Sequence, residues 1–227
     1  MNPKILILIK SHINSDYHDN LFKEINNIWS NYMNSFDGVT SYFIMGNPDL
    51  EDEYLLEDNI LWCRTIENHW DGLLNKVYMS LKYFENKYDF IFIVNSSSFV
   101  NIPNLVNKCK TLPLTNICMG FIRKKICNGI KIRYPSGSGI LLTNDIINII
   151  FGEPINKTYP QTDDLYIGYK LNQLNILTHQ MDRVDVKHNR FKLANVIYYK
   201  IKFADRNRDI FIHRYLLNVI YNKLSLN

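Results

Sequence analysis

Apolar and polar residues alternate between two periods along this chain, and the alternation sketches a layered fold. Lys4–Ile9 predicts a first strand, apolar from Ile5 on and ending at Lys10-Ser11, and Phe90–Val94 is another apolar run, rich in β-formers. Runs of this kind form strands buried on both faces. Thr40–Met45 predicts a second strand, closed by the breaker Gly46-Asn47-Pro48. Asn59–Trp62 predicts a short strand, with a loop through Glu67–Asp71. Between them the period lengthens. Leu21, Phe22, Ile25, Ile28 and Trp29 give a helix over Asn20–Met33, and Leu73, Leu74, Val77, Leu81 and Phe84 give one over Gly72–Phe84.

After the central strand, Pro103 opens a helix through Lys108. Ile117–Arg123 and Ile130–Arg133 predict a hairpin around Cys127-Asn128-Gly129. Tyr134–Gly139, YPSGSG, predicts a Gly/Ser turn, and helices follow at Asn144–Ile150 and Asp163–Gln173. Ile176–Gln180 and Phe211–His213 predict late short strands before a helical tail from Leu216. Strands alternating with helices define an α/β fold with a mostly parallel sheet flanked by helices.

Composition narrows the class. The chain has 227 residues, 46% of them hydrophobic and 13% aromatic, enough for one globular domain spanning residues 1–227. Nine Gly and seven Pro are too scattered to mark a linker. The net charge of +4 is mild, and the basic residues are dispersed apart from clusters at Arg123–Lys125 and Arg183–Lys192, so nucleic acid is not the expected partner. Each cluster reads either as solvated surface or as help in binding a phosphorylated small molecule. Cys63, Cys109, Cys118 and Cys127 lack zinc spacing, and reduced thiols are expected. The N-terminal apolar run is too short to span a bilayer. The bias toward Asn, Ile, Lys and Tyr is that of an AT-rich genome.

Candidate chemistry gathers in three segments. Phe90–Val94 stops in Asn95, Ser96, Ser97 and Ser98, and ligands of open α/β sheets bind beyond such carboxyl ends. Ser136, Gly137, Ser138 and Gly139 would let a ligand approach the backbone closely, since glycine puts no side chain in the way. Asp163–Asp164 offers a carboxylate at a helix start, tuned by a second one. The plainer alternative is that the Asp pair after Thr162 caps a helix. His213, in FIHRY, reads either as a core histidine or as a ligand; His12, His18, His69, His179 and His188 show no metal-ligand spacing. There is no GxSxG elbow and no P-loop.

Taken in order, ILILIKS with its following helix, SYFIMG, Asn68–Val77 with Lys76, FIFIVNSSSFVNIPNL, YPSGSGILLTNDI and TDDLYIGYKLNQLNI resemble the β-1,3-glycosyltransferase family that includes Fringe and the galactosyltransferases. The resemblance covers most of the chain. It implies a Rossmann-like GT-A nucleotide-sugar fold and an inverting transfer of a sugar from a nucleotide diphosphate donor, a UDP-sugar, to a glycan hydroxyl. It implies Asp164 as the base with Asp163 as its acidic neighbour. Lys10, Ser11, Lys76, Asn95, Ser96, Ser97, His213 and Arg214 would line the donor, and Ser136–Gly139 the acceptor.

One departure matters. The family carries aspartates, which hold a divalent cation, usually Mn2+, where this chain has Asn95, Ser96 and Ser97. Hard cations want anionic oxygens. Three explanations stand: a metal-free enzyme using Lys10, Lys76, His213 or Arg214 against the leaving-group charge; a metal held weakly through the diphosphate and His213; or a catalytically silent module that binds a glycan or nucleotide. Relatives of this kind are implied to be Golgi enzymes with an N-terminal span. This chain begins at its first strand, so a soluble cytoplasmic enzyme of a virus or microbe is expected.

Overall fold

The computed structural model describes residues 2–12, 22–27, 32–33, 35–68, 71–127, 129–160, 162–187, 193–203, 205 and 207–224. Its backbone is a mixed α/β arrangement around an eight-stranded sheet. The strands are β1 (Ile5–Lys10), β2 (Val39–Gly46), β3 (Tyr54–Glu57), β4 (Ile60–Cys63), β5 (Phe90–Asn95), β7 (Cys118–Cys127), β8 (Ile130–Thr143) and β9 (His179–Gln180), in the order β3-β4-β2-β1-β5-β8-β7-β9. The run β4-β2-β1-β5 is parallel throughout, and β8 pairs antiparallel with both β5 and β7. A smaller sheet, β10-β11-β6, joins Arg183–Val186, Tyr198–Ile201 and Ser98–Val100.

The two apolar runs explain the centre. Every residue of β1 is buried, and its side chains alternate between two cores. Ile5, Ile7 and Ile9 join Phe90, Phe92 and Val94 of β5 on one face, under a helix at residues 22–27 (α1), α3 (Ile102–Cys109) and α6 (Asn207–Leu224). Leu6, Leu8, Ile91 and Ile93 point the other way, toward α2 (Asp71–Tyr83), α4 (Asn144–Phe151) and α5 (Asp163–Gln173). Period-two alternation in strands covered on both faces produces this double core. Within the expected first helix, residues 22–27 and 32–33 are helical, while Asn20, Leu21, Ile28 and Trp29 lie outside the described residues. So do His18, His69, Asn128, His188 and residues 189–192.

Several expectations change. YPSGSG is not a turn: β8 runs unbroken over 14 residues, with Gly139 opposite Val94 and Tyr134 opposite Arg123. Tyr134 and Pro135 pair with β7 and Gly139 with β5, so the segment is held extended from its two ends while residues 136–138 span the register shift. Pro135 stands beside a register shift between Gly120 and Ile122, where a missing amide hydrogen is tolerated. Phe211–His213 is not a strand but part of α6, which begins nine residues before the expected Leu216 (216 − 207 = 9). The strand expected at Ile176–Gln180 shrinks to His179–Gln180. The strands β3, β6, β10 and β11 were not expected; each has only three or four residues.

Helix α5 lies close against β8 because Gly168 has no side chain. A Cβ there would stand 2.2 Å from Tyr134 Cβ and 2.8 Å from Tyr134 Cα. Gly168→Ala should therefore destabilise by about 1–3 kcal/mol, although alanine in an open helix position stabilises by roughly 1 kcal/mol. Urea denaturation decides the sign. A more stable alanine variant would contradict this packing.

Candidate functional site

The carboxyl ends of β1 and β5 open into a cleft of about 480 Å³. Lys10 and Asn95 are register partners, and Ser96 N donates to Lys10 O at 3.0 Å. The chain then turns at Ser96-Ser97 into β6, where Ile201 N donates to Ser97 O at 2.8 Å. Ser98 Oγ reaches across to Ser138 O at 2.8 Å, tying this turn to β8.

Lys10, Ser11, Lys76, Asn95, Ser96, Ser97, Ser136, Gly137, Ser138, Asp163 and Asp164 all line the cleft. Gly139 does not line it. A Cβ at Gly139 would meet the Tyr198 ring at 2.6 Å, so this glycine makes room for a core aromatic rather than for a ligand. His213 and Arg214 also fall outside. His213 is fully buried on α6 with its ring 5.9 Å from that of Phe99, and Arg214 is ion-paired to Glu24. The strand expected at FIHRY would have aimed them elsewhere; the helix turns His213 into the core and Arg214 to the surface.

A buried ion pair organises one wall. Lys10 Nζ binds Asp163 Oδ2 and donates to Gly137 O at 2.8 Å. Next to it, Gly137 N donates to Asp164 Oδ2 at 3.0 Å. Asp164 Oδ1 accepts from Leu165 N at 2.8 Å and from Thr162 Oγ at 3.2 Å. A carboxylate offers roughly four acceptor positions. Three are taken, which leaves one facing a half-open cleft. Burial first, and then the charge of Asp163, push the Asp164 carboxyl above its ordinary range; Lys10, the Gly137 amide and the Thr162 hydroxyl pull it partly back. The capping alternative holds in part, since Asp164 Oδ1 accepts from the first-turn amide of Leu165, but the two carboxylates also bond to β8 and Lys10.

The second wall rests on Lys76. Its Nζ donates to Ser11 O at 2.6 Å and to Glu67 Oε2 at 2.9 Å, while Glu67 Oε1 accepts from Gly46 N at 2.7 Å. Burial lowers the Lys76 pKa, and Glu67 works against that shift.

The same cleft is lined by residues that sequence reasoning assigned no role: His12, Leu73, Tyr134, Thr162, Leu165 and Lys200, together with Arg123 and Lys125 of the first basic cluster. Arg123 and Lys125 are exposed, as the solvated-surface reading expects, and both also border the cleft. The alternation in β7 was the available signal, since residues 121, 123 and 125 share a strand face. Arg183, from the second cluster, is by contrast withdrawn from solvent, its side chain 6% exposed. Its Nη1 donates to Ser136 Oγ and Ser138 Oγ, both at 2.9 Å, its Nε lies 2.7 Å from Asp185 Oδ1, and its guanidinium lies 3.9 Å from the Phe121 ring centroid.

The donor set does not fit a divalent cation. The end of β5 supplies neutral amide and hydroxyl oxygens, and Asp163 is held by Lys10. Among the described residues no group of three His, Cys, Asp or Glu side chains comes together. Nor is any helix among them long and apolar enough to cross a membrane.

No protein-family model and no curated protein matches the sequence. Among solved structures, the chain is similar to a glycosyltransferase involved in the glycosylation of the major capsid of PBCV-1. The two share 16% identity and a TM-score of 0.53, over 94% of this chain and 100% of that one. Looser matches are the catalytic domain of Drosophila β1,4-galactosyltransferase 7 (9% identity, TM-score 0.44, 87% of this chain and 71% of that) and 4-diphosphocytidyl-2C-methyl-D-erythritol synthase from Anaerococcus prevotii DSM 20548 (10%, 0.48, 94% and 96%). Those two carry no argument. The first establishes that the fold is of the Rossmann-like GT-A type.

Removing one partner of the Lys76–Glu67 pair should cost about 3–5 kcal/mol, because the other charge stays buried. Lys76→Met is the direct probe, and thermal unfolding reads it. The double variant Lys76→Met/Glu67→Gln should recover much of the loss; equal destabilisation in both would mean the pair is not coupled as described.

Proposed function

We propose that the chain is an inverting glycosyltransferase that moves a sugar from a nucleotide diphosphate, a UDP-sugar, to a glycan hydroxyl. One observation carries the reading above the others. Asp164 is a half-buried carboxylate with its pKa raised and one acceptor position left, in a cleft at the carboxyl ends of the parallel strands. A general base needs this placement. The fold shared with a glycosyltransferase supports the reading, as does the resemblance to the Fringe-like family.

In the reaction, the remaining acceptor position of Asp164 takes the proton of the acceptor hydroxyl. The oxygen then forms its bond to the anomeric carbon from the face opposite the leaving group. The bond from that carbon to the diphosphate oxygen breaks, and its electron pair leaves with the nucleotide diphosphate. Attack from the opposite face inverts the anomeric configuration. Asn95, Ser96 and Ser97 donate and accept hydrogen bonds along the donor, while Gly137, closely packed by Lys10 and Asp164, positions the base. With no fitting metal site, cationic side chains meet the developing charge on the leaving group. The silent-module alternative draws on the same neutral Asn95–Ser97 segment, and the substitution below separates the two.

Asp164→Asn should reduce transfer at least about a hundredfold, the usual size of a general-base contribution, with nucleotide affinity nearly unchanged. Turnover of a UDP-sugar panel measures this, and wild-type turnover in the variant would remove the assignment. Transfer should also fall as pH drops through the raised Asp164 pKa, so its acid limb should lie above the ordinary carboxylate range. The stability effect has the opposite sense. The folded state binds more protons than the unfolded chain between the two pKa values, so this group lowers stability as pH rises through that window. Asp164→Asn should therefore raise the melting temperature at neutral pH.

A further inference from the structure

The cations that sequence reasoning gave to the donor phosphates are engaged elsewhere. Lys10 holds Asp163 and Gly137, Lys76 holds Glu67 and Ser11, Arg214 holds Glu24, and His213 is in the core. Three other cations line the same cleft: Arg123 and Lys125 on β7, and Lys200 on β11. We infer that Arg123, Lys125 and Lys200 form an anion subsite that takes the diphosphate of the donor where a divalent cation would otherwise serve. The carrier of that diphosphate rests on the glycosyltransferase reading; the subsite rests on the geometry alone.

Arg123 and Lys125 are two residues apart on one strand and share a face. Lys200 comes from the other sheet and is the register partner of Ser98, which places it beside the Ser96-Ser97 turn. Among the described residues, no hydrogen bond or ion pair engages the side chain of any of the three. Of the two carboxylates lining the same cleft, Asp163 is tied to Lys10 and Asp164 to the Gly137 amide. Burial first, then Arg183, Arg123 and Lys202, depress the Lys200 ammonium, and Asp185, already bonded to Arg183, opposes them. Like charges gathered at one cleft raise the free energy of the empty site, and a bound anion offsets it. A diphosphate suits the set: a guanidinium grips two phosphate oxygens at once, and flanking ammonium groups act as point charges. Arg183, bonded to Ser136 and Ser138, braces the wall from behind and keeps its own charge engaged.

Calorimetric titration in EDTA at low salt, with inorganic pyrophosphate and with UDP as separate probes, tests this. The intact protein should bind both without metal, and Arg123→Ala and Lys200→Ala should each weaken pyrophosphate roughly tenfold, the size of a lost ionic hydrogen bond. Lys124→Ala makes the same charge change on the opposite face of β7 and should leave affinity unaltered. Melting curves confirm that all three variants fold. Absence of pyrophosphate binding, or an equal loss in Lys124→Ala, overturns the subsite. Pyrophosphate binding that depends on Arg123 and Lys200, with no binding of UDP or UDP-sugars, upholds the subsite and refutes the donor reading. UDP binding and transfer indifferent to both variants uphold the transferase and refute the subsite.

Discussion

The cleft depends on a charge pair that is costly to bury. Lys10 ends the first strand, and its ammonium, with only 4% of the side chain exposed, binds Asp163 and the carbonyl of Gly137, residues 153 and 127 positions away. Taking both charges out of water costs several kcal/mol per ion unless the remaining hydrogen-bonding positions are filled. Here the backbone of β8 fills one of them. The result is a three-way tie between β1, β8 and the start of α5. It joins the Gly168–Tyr134 packing and the Gly137–Asp164 bond in holding the start of α5 against the strand whose amide steadies Asp164. The pair contributes position more than stability, and position is what a catalytic carboxylate requires.

That constraint explains why Asp163 and Asp164, adjacent in sequence, have different fates. Asp163 is nearly inaccessible and matched by a cation. Asp164 lies one residue on, half-buried, and its pKa is raised by burial first and then by its neighbour's charge. Two carboxylates separated by environment rather than by chemistry is a recurrent way to make one of them a base at neutral pH.

Much of this was legible in the chain. The unbroken runs in β1 and β5, the helical spacing of α2 and the Asn144 and Asp163 helix starts follow from local pattern, and they place Lys10, Asn95–Ser97 and Asp164 at one sheet edge. What pattern could not show was tertiary pairing. YPSGSG has the composition of a turn, yet it is a strand because β7 pairs with its first two residues and β5 with its last. FIHRY has β-forming residues, yet it is helical because α6 packs Ile212 and Leu216 into the core. The strands β10 and β11 are too short to announce themselves, so Lys200 went unassigned and Arg183 was read only as one of a cluster, and the cations expected at the donor were sought mainly on residues committed to other partners.

The central claim is that the Lys10–Asp163 pair holds Asp164 as a carboxylate of elevated pKa facing the cleft. Carbon-13 NMR titration of the Asp164 side-chain carboxyl tests it most directly, in the wild type and in Asp163→Asn. The wild-type group should titrate above the ordinary carboxylate range. In the variant the repulsive charge is gone and Lys10 is released from its partner, so the midpoint should fall. A wild-type midpoint at or below the ordinary range, or one that does not move when Asp163 is neutralised, would contradict the account.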